Sequence, residues 1–253
     1  MPTLYSDNWK IENIEAVLFD KDGTFVDSDI YWGKLGEMRI LEILKEYHLS
    51  DVLYDDLAAV IGLNSLSGKL IPNGPLAALS RDEVIGILAD YLVKNNNIQT
   101  DTIEIAKIFE RVHEKFIENM FEYTFLLDGA KKLFENLKQA KVKMAVVTSD
   151  SYLHTIETLK YLNIDKYFDF VVGCDSLPYI KSSGKPALFA LDNLAVSSEN
   201  AIVVGDAPMD AQMALNAGMK ASVLVTTGQV QKEDLMKFSS CIIDSLSEIK
   251  VEL

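Results

Sequence analysis

A chain of 253 residues, 49% apolar and 25% charged, can bury a core either as one large domain or as a core with a sizeable insert. Its 24 Lys and Arg against 38 Asp and Glu leave a net charge of -14. That excludes nucleic acid as the main partner, since phosphate-backbone binding runs on clustered basic charge. No apolar run reaches the roughly 18 to 20 residues of a membrane helix. The polar start, Met1 to Asn13, does not read as a signal peptide, and two cysteines, Cys174 and Cys241, make no disulfide framework. These features predict a soluble, cytoplasmic protein, monomer or homodimer, with no membrane or nucleic-acid partner.

In chain order, the first buried strand is Ala16-Val-Leu-Phe-Asp20. Residues 29–125 then carry no convincing strand. Helical periodicity appears at about 30–48, and Ser80-Arg-Asp-Glu83 and Asp101-Thr-Ile-Glu104 have the form of capping boxes ahead of two more helices, separated by Asn95-Asn96-Asn97. From there, apolar runs alternate with helical stretches. The strands are Met144–Thr148, Phe168–Gly173, Ala201–Gly205 and Ala221–Val225; the helices lie near 130–140, 151–162, 186–195 and 208–217. Their β-branched content without strict alternation suits parallel strands buried on both faces. The predicted fold is α/β, a doubly wound, mainly parallel sheet formed by 1–28 and 126–253, with an all-helical cap domain inserted at 29–125.

The chemistry-bearing residues gather at strand ends. The first strand runs into Asp20-Lys21-Asp22-Gly23-Thr24. A period of two aims Asp20 and Asp22 to one side with Lys21 opposite, and Gly23 permits a tight turn whose amides approach an anion. An ordinary Asp-Gly turn explains the same residues. Thr148 and Ser149 end the second core strand with hydroxyls suited to a phosphate or to a helix N-cap. Gly184-Lys185-Pro186 sets a lysine before a helix, and Gly205-Asp206-Ala-Pro-Met-Asp210 supplies two more carboxylates. In a doubly wound sheet, the carboxyl ends of strands form one crevice. The three histidines, His48, His113 and His154, are too scattered for a metal site, and neither Gly-Lys pair completes a Walker A loop.

Taken together and in order, Asp20-Lys-Asp22-Gly23-Thr24, Thr148, Lys185-Pro186 and Gly205-Asp206-Ala-Pro-Met-Asp210 resemble the haloacid dehalogenase superfamily, in its phosphatase branch with a helical cap. The continuation Ala211 to Met219 is similar to the phosphoglycolate-phosphatase-like group. The resemblance implies a Mg²⁺-dependent phosphatase acting on a small phosphorylated metabolite through an aspartyl-phosphate. Asp20 would be nucleophile and metal ligand. Asp22 would be acid and base and would give its main-chain carbonyl to the metal, with Asp206 and Asp210 as further metal positions. Thr148, Ser149, Lys185 and the amides around Gly23 would hold the phosphoryl group, Lys185 also serving catalysis. Lys181 competes with Lys185, but the Pro after Lys185 fits the family pattern. Four carboxylates in one crevice call for a cation, because two like charges ~5 Å apart repel by roughly 3 kcal/mol at an effective dielectric near 20. A carboxylate at position 22 sets the chain apart from dehalogenases, which lack it. Asp150 departs from phosphoglycolate-type relatives, which often carry a basic residue there. The alternatives are a phosphomutase of the same fold and a non-catalytic phosphate-binding protein.

Overall fold

The computed structural model describes residues 2–72 and 74–252, leaving aside the side chain of Ala78. Two compact units divide the chain: Met1–Asp27 with Phe125–Leu253, and Ser28–Thr124 between them.

The first unit begins with two short strands, β1 (Thr3–Tyr5) and β2 (Lys10–Ile11), followed by β3 (Ala16–Phe19). After the helical unit come α6 (Ala130–Gln139), β4 (Lys143–Val147), α7 (Tyr152–Tyr161) and β5 (Phe170–Val172), and then α8 (Lys185–Leu194) and β6 (Ala201–Gly205). The chain continues through α9 (Pro208–Asn216), β7 (Ala221–Val225), the short α10 (Lys232–Leu235), β8 (Cys241–Ile243) and β9 (Lys250–Glu252). Six strands form a parallel sheet in the order β5-β4-β3-β6-β7-β8.

Burial follows the strand period of two. Val17, Phe19, Val146 and Val204 pack with Phe134 and Leu137 of α6 on one face, whereas Leu18, Ala145, Val147 and Val203 pack with α8 and α9 on the other. Both faces are covered, so the strands read as continuous apolar runs. The chain leaves β3 for β4 on one side and returns to β6 on the other. This places the switch point, where crevices open, at the carboxyl end of β3.

Two differences from the sequence expectation concern edges. The strand expected over Phe168–Gly173 is shorter, because Phe168 joins an aromatic cluster with Phe25 and Phe134 (5.6 and 5.0 Å between centroids) and Asp169 Oδ2 accepts the Met144 N–H. A small antiparallel sheet, β2-β1-β9, escapes the sequence patterns because strands of two or three residues carry no measurable period.

The second unit contains α1 (Ser28–Glu46), α2 (Tyr54–Ile61), the single turn α3 (Pro75–Ala78), α4 (Arg81–Asn96) and α5 (Thr102–Asn119). Ser80 and Glu83 close the expected capping box, and the Asp101 side chain accepts two amides at the start of α5. Asn97 ends α4 in the left-handed conformation that asparagine tolerates (φ 53°). Ile40, Ile43, Leu57, Leu88 and Phe109 belong to this unit's own core. Tyr31 packs edge-on against Phe116, and Arg81 pairs with Glu110 (2.8 Å). No helix among the described residues is long and apolar enough to cross a membrane.

Candidate active site

β3 stops at Phe19, whose register partners are Val146 and Val204, so the residues just past the three strands, Asp20, Thr148 and Asp206, come to the same edge of the sheet. The Asp20 N–H donates to the Val204 carbonyl (2.9 Å), which keeps this backbone on the sheet. Asp206 follows β6 directly, and Asp210 lies in the first turn of α9, its Oδ2 accepting the Ala207 N–H (3.0 Å). Asp20, Asp206 and Asp210 each offer one carboxylate oxygen, all within 4.8 Å of one another. Burial, with the charges of Asp20 and Asp210, pushes Asp206 well above the usual carboxylate range. Burial likewise raises Asp210 to about 6, against the pull of Lys181 and helped by Asp20.

The two candidate lysines are placed differently. Lys181 enters the cluster, and Lys185 does not. The Lys181 ammonium contacts Asp20 Oδ1 and stands 2.6 Å from Asp210 Oδ1, on a residue only 8% exposed. Burial disfavours this ammonium, but the two carboxylates outweigh that and hold its pKa above the usual lysine range, so it is charged at neutral pH. Lys185 is exposed and opens α8. The cause lies at Gly184, whose φ of +77° ends the Lys181–Ser183 turn and starts the helix; a Cβ there would come within 2.7 Å of the Ala217 nitrogen. Asn216 Nδ2 donates to the Ser182 carbonyl (2.8 Å), which ties the turn to the end of α9 and fixes the lysine that precedes Gly184 in the crevice.

The turn after Asp20 is equally constrained. The Thr24, Phe25 and Val26 amides all donate to the Lys21 carbonyl, and Gly23 takes φ +79°. A Cβ at Gly23 would meet Asp206 Oδ2 at 2.5 Å and Gly228 Cα at 3.1 Å. Thr24 Oγ1 donates to Asp206 Oδ1 (3.1 Å), and Thr227 Oγ1 donates to the Gly23 carbonyl (2.6 Å). Thr227 had no signal in the sequence, because its partner lies 204 positions away.

Asp22 departs from the alternation expected for it. Because the strand has ended, its carboxylate pairs with Lys21 (2.7 Å) and keeps 41% exposure, outside the three-carboxylate cluster. Lys21 itself is buried and also meets Asp150 Oδ2 (3.1 Å), which lies 2.6 Å from His154 Nδ1. The four-residue spacing of His154 from Asp150 is the one local sign of this pairing in the sequence. Burial raises the Asp150 carboxyl, but the His154 hydrogen bond and the Lys21 charge prevail and hold it at about 2.

A folded-state pKa lowered from 3.8 to about 2 contributes stability above pH ~4 that disappears as pH falls through ~2, amounting to about 2 kcal/mol. Asp150→Asn is therefore expected to unfold in urea with about 2 kcal/mol less stability at pH 6. The gap to the parent protein should begin to narrow below pH 4. A gap that stays constant down to pH 2.5 would contradict the ion-pair network.

Thr148 is buried at the end of β4, its N–H donating to the Val172 carbonyl (3.0 Å) and its Oγ1 accepting the Asp150 N–H (3.1 Å). Ser149 is exposed, its hydroxyl 3.7 Å from Met209 Sδ. Both line a cavity of about 560 Å³, together with Lys181.

The model of the haloacid dehalogenase-like hydrolases matches residues 14–218. The chain belongs to that family. It is a phosphatase of that family, similar to members named phosphoglycolate phosphatase and pyrophosphatase. It is 27% identical over 210 residues to a phosphoglycolate phosphatase of Aquifex aeolicus, covering 83% of this chain and 84% of that one. To the pyrophosphatase PpaX of Bacillus cereus it is 24% identical over 214 residues, covering 85% and 84%. The crystal structure of a predicted phosphoglycolate phosphatase from Haemophilus somnus superimposes with a TM-score of 0.66 at 22% identity, over 94% and 96% of the two chains. At that identity the superposition speaks to the fold alone.

Proposed function

We propose that this hydrolase is a Mg²⁺-dependent phosphatase that cleaves a small phosphate monoester through an aspartyl-phosphate on Asp20. The observation that carries this is the Asp20 carboxylate held by a buried lysine, Lys181, beside the carboxylates of Asp206 and Asp210 and near a cavity lined in part by Thr148 and Ser149. The donor set fits Mg²⁺: three carboxylate oxygens gather without a nitrogen or sulfur ligand. Burial and the neighbouring negative charges also oppose ionisation of Asp206 and Asp210, which a cation would favour. Asp20, Asp206 and Asp210 would hold the ion, with the Asp22 main-chain carbonyl as the family resemblance implies. When bound, Mg²⁺ offsets negative charge on the nucleophile and on the phosphoryl oxygens.

The remaining steps belong to the chain's own residues. Lys181 holds Asp20 in one orientation as the carboxylate attacks phosphorus and the bond to the leaving oxygen breaks. Asp22, the more exposed carboxyl, gives its proton to that oxygen. It then takes a proton from water, whose oxygen attacks phosphorus and frees phosphate and Asp20. Thr148, Ser149 and the amides around Gly23 would bind the phosphoryl oxygens, and Thr24 and Thr227 brace the loop that carries those amides. Lys185, at the exposed start of α8, has no role in this scheme. The exposed free thiol of Cys174 favours the reducing cytoplasm.

The test is phosphate release from a panel of monoesters with and without Mg²⁺, with hydroxylamine added to trap the acyl phosphate. Metal-dependent release and a hydroxamate at Asp20, read by mass spectrometry, are expected. Absence of release from every ester overturns the reading, and isomerisation of a sugar phosphate without free phosphate replaces it with a phosphomutase.

A further inference from the structure

Apart from Thr148, Ser149 and Lys181, the cavity at the strand ends is walled largely by Leu177, Pro178, Tyr179, Ile180 and Met209. Tyr179 and Ile180 stay 52% and 75% exposed on the loop between β5 and the Lys181 turn, so their apolar surface is not used in the core. An apolar concave wall continuous with a few polar groups has the make-up of a small-ligand pocket, and about 560 Å³ lies within the size range of such pockets.

Charge around the cavity narrows the ligand. Lys181, the one cation among the lining residues described, is already shared by Asp20 and Asp210. Lys21, the other buried lysine of this crevice, is shared by Asp22 and Asp150. Asp150 lies two residues beyond Thr148 and brings a further negative charge. An anionic leaving group in this cavity would thus meet mainly apolar side chains, with the one ammonium of the described lining already committed to Asp20 and Asp210.

We propose that the substrate is the phosphate monoester of a neutral alcohol with an apolar face, which rests on the wall formed by Leu177 to Ile180 and Met209. This builds on the phosphatase reading above and gives its leaving group a chemical class. It distinguishes the chain from relatives named for phosphoglycolate and pyrophosphate, because the leaving groups of those two compounds, glycolate and phosphate, are anions.

The experiment compares kcat/KM for benzyl phosphate, 2-phosphoglycolate and pyrophosphate at one Mg²⁺ concentration. The first two both release an alkoxide oxygen, so their difference reports the rest of the leaving group. Burying ~60 Å² of apolar surface corresponds to about tenfold, and benzyl phosphate is expected to exceed phosphoglycolate by at least that factor. Tyr179→Ser and Ile180→Ser alter exposed positions that the fold tolerates. Each should lower the ratio of benzyl phosphate to phosphoglycolate by about threefold or more, chiefly through KM. Preference for phosphoglycolate or pyrophosphate, or a ratio that neither variant moves, overturns the proposal while leaving the phosphatase reading intact. Failure to hydrolyse any of the three, together with a silent monoester panel, overturns both.

Discussion

Asp20→Asn is expected to lower kcat by about 10⁴-fold or more while leaving the fold intact. The amide has nearly the shape of the carboxylate but no charge with which to attack phosphorus, so the covalent route is lost and not merely slowed. The surroundings of Asp20 make this a clean experiment. Lys181 keeps Asp210 as its counter-charge, and removal of one of three clustered carboxylates relieves repulsion. The variant should therefore melt no lower than the parent in metal-free buffer. Phosphate release and thermal unfolding, measured on one preparation, separate the chemical loss from a structural one. Activity within tenfold of the parent would remove Asp20 from the role of nucleophile.

Lys181→Met carries the second large effect and opposes the two lysines directly. Taking away a buried cation shared by two carboxylates leaves both uncompensated, and breaking buried pairs of this kind costs about 3–5 kcal/mol. For a chain of this size, that lowers the metal-free melting temperature by roughly 10 °C. The same substitution removes positive charge from the developing transition state, for which loss of one stabilising group typically costs ~10² to 10³ in kcat. Lys185→Met, at an exposed helix start, should change stability by no more than ~0.5 kcal/mol and activity by less than about twofold. If Lys181→Met is too unstable for assay, Lys181→Arg keeps the charge and should fold; its lower kcat at near-parent stability would carry the comparison. A large loss in Lys185→Met with none in the Lys181 variants would reverse the placement.

The contrast between these lysines shows where sequence patterns stop being informative. Asp20, Asp22, Asp206 and Asp210 were legible because each sits within a few residues of a strongly apolar strand, and strand ends are marked locally. The helical caps at Ser80 and Asp101 were legible for the same reason, since a cap and its partner amide are three residues apart. Lys181 was not. The two lysines are four residues apart at the entry to α8, and Pro186 is an equally good start for that helix whichever of them enters the crevice.

Amino-acid sequence by itself determined the buried parallel strands, the helical character of the interval between the first two of them, and three of the carboxylates that meet at their ends. Those features follow from side-chain chemistry read over short windows. Tertiary structure alone decided that Lys181 neutralises Asp20, that Asp22 turns to Lys21, and that Asp150 with His154 completes that chain of charges. It also decided that Thr227 braces the Gly23 turn. The contacts of Lys181 with Asp20, of Lys21 with Asp150 and of Thr227 with Gly23 join residues far apart in the chain, and the left-handed Gly23 and Gly184 set the turns around them. Their energies appear only when the sheet has brought its carboxyl edges together and excluded water from the charges between them.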